Sequence, residues 1–263
     1  MRVIAEVGSN IKSYEDCVYS IKKAREAGAN FVKFQCISEF DLYGEGSKEY
    51  RPFRIEWLAP LHQVAIENEI EFMCTGFSVD TYKAIDPFVN VHKIASAEIT
   101  AIDLLWTVAS FRKPVLLSTG GASIDQIKFA IKVLKECPIT LLYCVPMYPA
   151  KVILLLMIDR LKYVFGENLS YGYSDHSIDV LNIPTLAKAY GCSIIEKHVN
   201  FLEYSDTPDS QHALNFTELL FMVRDIKGEN ISVTEIDSYI NKDMIKKWQR
   251  RLINGRYLRP KPE

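Results

Sequence analysis

The residues of this chain best suited to chemistry fall in pairs two positions apart. They are Lys33 and Gln35, Thr75 and Phe77, Ser96 and Glu98, Ser174 and His176, and Glu196 and His198. Each pair closes a short apolar run, and residues two apart on an extended strand share a face. Glu6, Lys93 and Ser118 lie within similar runs. Lysines and hydroxyls around one rim suit a phosphate or a carboxylate. The competing reading for each lysine is a salt bridge, to Glu6 or Glu98. His176 and His198 end two successive runs. On neighbouring strands their tips would lie about 5 Å apart, within reach of one divalent ion with positions left open for water or substrate oxygens. Spacing does not choose among manganese, magnesium, iron and zinc. Asp175 and Lys197 have the opposite parity and are expected to face away, as a buried ion pair or as supports for the histidines. His92 shares that outward parity with respect to Lys93, and His62 falls in a helical stretch. Neither is assigned to a site.

Positioning these pairs at one end requires many parallel strands. Eight strand-like runs are readable: 3–8, 31–36, 71–77, 91–97, 115–120, 139–145, 169–174 and 193–199. Helix-forming stretches near 14–27, 54–69, 80–88, 103–111, 123–136, 153–165, 180–190 and 216–227 separate and follow them. Gly28 and Gly191 stand just past two of these helices, where a left-handed residue ends a helix. Near-continuous apolar strands imply a parallel sheet covered on both faces. Eight βα units imply a closed (β/α)8 TIM barrel of class α/β, whose active face is the C-terminal end of the strands. The barrel is expected over 1–227, with a short C-terminal helical extension over 228–263. That extension carries a basic helix near 233–253, read as a solvated packing face or as an oligomer or nucleic-acid contact. The long polar loop 37–53 is read as a lid or as a surface insertion.

Composition sets the outer limits. The 263 residues are 48% hydrophobic and 24% charged, which excludes disorder, collagen and coiled coil as whole-chain descriptions. A formal charge of −2 gives no global attraction to nucleic acid. The apolar runs are too short to span a bilayer. Strand-like sequence from Val3 leaves no room for a signal peptide. The six cysteines form no CxxC pair and read as reduced, buried thiols. A cytoplasmic protein without membrane or nucleic-acid partners is expected.

Taken together, Ile4-Ala5-Glu6-Val7-Gly8, Val32-Lys33-Phe34-Gln35, Lys93-Ile94-Ala95-Ser96-Ala97-Glu98, Leu117-Ser118-Thr119-Gly120, Gly172-Tyr173-Ser174-Asp175-His176 and Glu196-Lys197-His198 stand in the order found in the sialic acid synthases. From residue 2 to about 227 the chain resembles the catalytic barrel of that N-acetylneuraminate synthase family. The resemblance implies condensation of phosphoenolpyruvate with an N-acylated amino-sugar aldehyde, here an N-acylated hexosamine, to give a nonulosonic 2-keto sugar acid and phosphate. It implies a divalent metal, manganese first and magnesium or another ion as alternatives, on His176 and His198. It implies that Lys33, Lys93, Ser96, Ser118 and Ser174 bind phosphoenolpyruvate. Glu6, Gln35, Thr75, Phe77, Glu98, Tyr148, Glu196 and Asp209 would be the acidic and sugar-contacting residues. Glu98 is the first choice and Glu6 the second for moving protons as water adds.

The sequence departs from the family at several points. Asn10-Ile11-Lys12-Ser13 replaces an Asn-His-Asn-Gly stretch, Gly76 a proline, and Pro146 an asparagine. His212, three residues after Asp209, lies off the family's motif and is not assigned. The family's C-terminal domain, resembling antifreeze proteins, is expected to be lacking. In the family an arginine of that domain reaches a partner's site, so a homo-oligomer, a dimer, or a separate lid subunit is expected. Two other readings remain: a barrel that binds a sugar, a phosphate or a partner without turnover, and another metal-dependent sugar-phosphate aldolase or isomerase.

Overall fold

The computed structural model describes residues 1–37 and 53–229. Residues 38–52 of the loop 37–53, read as a lid or a surface insertion, and the basic helix near 233–253 lie outside the described residues. Eight strands form one parallel sheet: β1 (Arg2–Glu6), β2 (Phe31–Cys36), β3 (Glu71–Gly76), β4 (His92–Ile94), β5 (Val115–Ser118), β6 (Ile139–Cys144), β7 (Ser170–Asp175) and β8 (Ile194–His198). Their order is β3-β2-β1-β8-β7-β6-β5-β4. The sheet therefore curls until β4 lies beside β3, giving a nearly closed barrel. The helices are α1 (Tyr14–Glu26), α2 (Leu58–Glu67), α3 (Val79–Ile85), α4 (Ile102–Phe111), α5 (Ile124–Val133), α6 (Leu156–Phe165), α7 (Asn182–Ala189) and α8 (Phe216–Lys227).

Local chemistry sets the element ends. Ser13, Ser78 and Ser123 each accept a hydrogen bond from the third residue of the following helix, closing capping boxes. Gly28 and Gly191 take positive φ just beyond α1 and α7, as their positions predict. Strand β4 is shorter than its run. It ends at Ile94, and Ser96–Thr100 forms a 3₁₀ turn. Ser96 and Glu98 therefore reach the barrel mouth from a turn, not as two positions on one strand face.

The inside of the barrel is built in tiers. A buried apolar cluster joins Ile4, Phe31, Met73, Val91, Leu116, Leu142 and Ile194, from seven of the eight strand segments. The eighth, β7, supplies Gly172. A Cβ there would come within 2.6 Å of Leu142 and of the Ile194 carbonyl, so glycine is the residue that fits. This plug closes the barrel below the mouth. The helices pack on the outer face through a second, larger cluster that includes Val32, Phe34, Phe72, Leu117, Leu141 and Tyr173. Among the described residues, no helix is long and apolar enough to cross a membrane. All six cysteines are buried thiols outside any disulfide, as expected.

Candidate active site

Two residues along each strand from the plug, the interior changes character. The next inward positions are Glu6, Lys33, Thr75, Lys93, Ser118, Cys144, Ser174 and Glu196, and all are buried. Period-two alternation keeps them on the inner face, so a polar tier lies directly on an apolar floor. Above this tier opens a cavity of about 390 Å³. Every residue singled out in the sequence lines it: Glu6, Lys33, Gln35, Thr75, Phe77, Lys93, Ser96, Glu98, Ser118, Tyr148, Ser174, His176, Glu196, His198 and Asp209.

Charge in the tier is paired. Lys33 Nζ lies 2.8 Å from Glu6 Oε2 and 3.3 Å from Glu196 Oε2, and it donates to Thr75 Oγ1 at 3.1 Å. Gln35 Nε2 donates to Glu6 Oε1 at 2.7 Å. The salt bridge considered for the lysines thus exists for Lys33 with Glu6. Lys93 Nζ is 3.8 Å from Glu196 Oε1, and among the described residues its one direct donation is a 3.3 Å bond to the Ile94 carbonyl. Ser174 Oγ donates to Glu196 Oε1 at 3.0 Å.

These contacts separate the proton affinities. Burial pushes the Glu196 carboxyl up, but Lys33 and Lys93 outweigh it and hold the group down at about 2. At Glu6 burial prevails over Lys33 and raises the value. Burial alone would depress Lys33, but Glu196 and Glu6 raise it. At Lys93 burial dominates, and the ammonium is easier to deprotonate than usual. Lys93 is therefore the cation of the tier least satisfied within the protein, and an arriving anion would suit it. Glu98 sits half-buried at the mouth. Burial raises its carboxyl against the pull of Lys93, and its Oε2 has no hydrogen-bond partner.

The histidines crown the tier on β7 and β8. His176 and His198 have ring centres 5.7 Å apart. His176 Nδ1 lies 2.9 Å from the Val145 carbonyl, which only accepts, so Nδ1 carries the proton. Burial and then His198 depress the His176 value to about 3, so its Nε2 presents a lone pair. This is the tautomer of a metal-binding imidazole held by a backbone carbonyl. Two imidazoles on one ion through bonds of about 2.1 Å place their ring centres roughly 5–6 Å apart. The pair therefore fits a divalent ion. Tyr148 stacks on His176 with ring centres 4.1 Å apart. Behind the pair, Lys197 Nζ meets Asp175 Oδ2 at 2.6 Å with both side chains fully buried, the ion pair that parity predicts. His92 faces outward, as expected, and bonds Asp86.

The loop after β8 folds back over the mouth. Asp209 Oδ2 accepts from the Ser9 amide and hydroxyl, each at 2.8 Å. Burial would raise the Asp209 carboxyl, but His198 and Ser9 outweigh it and lower it. The same loop carries His212, which sequence reasoning left out. Its ring centre is 4.6 Å from that of His198 and 4.9 Å from that of Tyr148. Ser9 and Cys144 also line the cavity without having been singled out, and so does Pro146, noted in the sequence only as a departure from the family. His212 stands three residues after Asp209 in the sequence, but no local pattern showed that the loop would bring it back to the mouth.

The described geometry has counterparts. The NeuB family matches residues 20–237. The pseudaminic acid synthase of Helicobacter pylori is 30% identical over 277 residues, covering 94% of this chain and 79% of that protein. The N,N'-diacetyllegionaminic acid synthase of Legionella pneumophila is 30% identical, covering 86% and 71%. The crystal structure of N-acetylneuraminic acid (sialic acid) synthetase from Leptospira borgpetersenii, in complex with citrate, superposes with a TM-score of 0.81. It is 29% identical over 94% of this chain and 92% of that one. This chain belongs to the NeuB family, a family of sugar-acid synthases.

Proposed function

We propose that residues 1–227 condense phosphoenolpyruvate with an N-acylated amino-sugar aldehyde, forming a nonulosonic 2-keto acid and releasing phosphate. The observation that carries this reading is the buried polar tier. Two lysines, two carboxylates and two serine hydroxyls converge there beneath a mouth rimmed by two imidazoles and Glu98. In this reading Lys93, Ser96, Ser118 and Ser174 bind the phosphate and carboxylate of phosphoenolpyruvate, with Lys33 completing the charge. Glu6 and Glu196 hold Lys33 in place. Gln35, Thr75, Phe77, Tyr148 and Asp209 contact the sugar.

His176 and His198 would hold the divalent ion, manganese first. When bound, it polarises the sugar carbonyl. The tier turns C3 of phosphoenolpyruvate toward that carbon. A C–C bond forms between the two as the carbonyl oxygen takes up a proton, water adds at C2, and the C2–O bond to phosphate breaks as the new C2 hydroxyl gives its proton to the departing phosphate, leaving the 2-ketone. Glu98 takes a proton from the water, a role its raised carboxyl value suits.

The test combines protein, manganese, phosphoenolpyruvate and a panel of mono- and di-N-acylated hexosamines, following phosphate and 2-keto acid together. The expected result is stoichiometric release of both, dependent on one sugar of the panel. Silence across the panel overturns the reading.

A further inference from the structure

We propose that His198, Asp209 and His212 form a two-imidazole, one-carboxylate site for a divalent transition-metal ion, with His212 as a direct ligand. One ligand atom from each lies within 4.8 Å of the others. His198 Nδ1 is 3.9 Å from Asp209 Oδ2, and His212 Nε2 is 3.8 Å from Asp209 Oδ1. Asp209 thus points one oxygen at each imidazole.

The second observation is what these groups lack. His212 is 2% exposed, and neither of its ring nitrogens has a hydrogen-bond partner. His198 Nδ1 has none either. Buried polar atoms are almost always satisfied by protein, water or an ion. Among the described residues, three buried imidazole nitrogens near one carboxylate are left without a hydrogen-bond partner. A cation held beside Asp209 answers one nitrogen of each ring, His198 Nδ1 and His212 Nε2, the two that face the carboxylate.

The set is anchored where it matters. Ser9 fixes Asp209 Oδ2 through two hydrogen bonds, leaving Oδ1 turned to His212. Bonds of about 2.0–2.2 Å bring donor atoms to roughly 3–3.5 Å from one another. The ligands close by at most about 1.8 Å, within reach of side-chain rotation. Two imidazoles and a carboxylate with open positions select iron, cobalt, zinc or manganese over magnesium or calcium, which prefer all-oxygen sites. The inference rests on the proposed function and deepens it: the ion is the one proposed there for His176 and His198, to which Asp209 and His212 would add as ligands.

The test uses metal alone, without phosphoenolpyruvate or sugar. Metal-free full-length protein is titrated with Co2+, reading heat and the visible absorption of the bound ion. His212→Gln and His212→Phe are compared with the unmodified protein, and metal-free melting checks their folding. The expected result is at least about a tenfold loss of Co2+ affinity, since even an outer partner of a ligand is worth 10–100-fold, together with an altered spectrum. Unchanged affinity and spectrum overturn the proposal. If both variants fail to fold, histidine 15N NMR of the unmodified protein decides: Zn2+ must shift the His212 ring nitrogens, and unshifted resonances overturn it. Turnover plays no part in this readout, so failure here leaves the condensation standing, and failure of turnover leaves the metal site standing.

Discussion

Lys197→Met tests whether the buried pair behind the histidines is a true charge pair. Lys197 and Asp175 are both fully buried and 2.6 Å apart. Lys197 also donates to the Ser177 carbonyl at 2.7 Å. Methionine keeps most of the volume but leaves the Asp175 carboxylate without its partner, which costs about 3–5 kcal/mol. For a chain of this size that lowers Tm by about 6–20 °C, at about 2–4 °C per kcal/mol. Asp175→Asn/Lys197→Met removes both charges, and the loss should fall short of the summed single losses by at least about 1 kcal/mol. Urea unfolding of the four proteins at neutral pH measures the cycle. A Lys197→Met cost under about 1 kcal/mol, or strict additivity, refutes the pairing. The residues immediately precede His176 and His198 and face each other across β7 and β8. Metal affinity should therefore fall in Lys197→Met as well.

Glu98→Gln should lower kcat by about 100-fold or more. A base must be ionised, and burial raises Glu98. The acid limb of kcat/KM should therefore lie above the ordinary glutamate value of about 4.3 and vanish in the variant; a surviving limb counts against Glu98. Lys33→Met should destabilise more than Lys93→Met, because Lys33 closes contacts at 2.8 and 3.3 Å while Lys93 reaches Glu196 only at 3.8 Å. Phosphoenolpyruvate affinity, read by calorimetry, should fall in Lys93→Met even where melting is nearly unchanged. Gly8 has φ +55°, and a Cβ there would sit 2.5 Å from Asp209 Oδ2 and 3.3 Å from His198 Nδ1. Gly8→Ala should cost about 1–2 kcal/mol for the left-handed backbone and weaken Co2+ binding by displacing Asp209; unaltered binding would show that Asp209 is not held there.

Most of the site was legible because alternation is a local property. Knowing that Lys33, Ser174 and Glu196 share parity with their pair partners is enough to turn them inward, and the same rule turns Asp175 and Lys197 out. It failed at Ser96 and Glu98, where an amide-to-carbonyl bond from Glu98 to Ala95 replaces the strand by a turn. Period-two reasoning has no means of detecting where a ladder stops. It also gave no reason to include Cys144, whose inward position follows from parity but whose chemistry did not draw attention.

The sequence by itself determined the eight βα units, the end at which polar residues collect, and which side chains face the barrel interior. Each follows from propensity and periodicity within a few residues. Only the tertiary structure decided how the charges pair. That Lys33 serves Glu6 and Glu196 together depends on β2, β1 and β8 lying side by side. Only the tertiary structure brought His212 to His198. The loop that carries it is tied by Asp209 to Ser9 and by Thr207 to Asn10, contacts about two hundred positions apart in the chain. No local pattern encodes such a return, because its energy comes from closing the barrel.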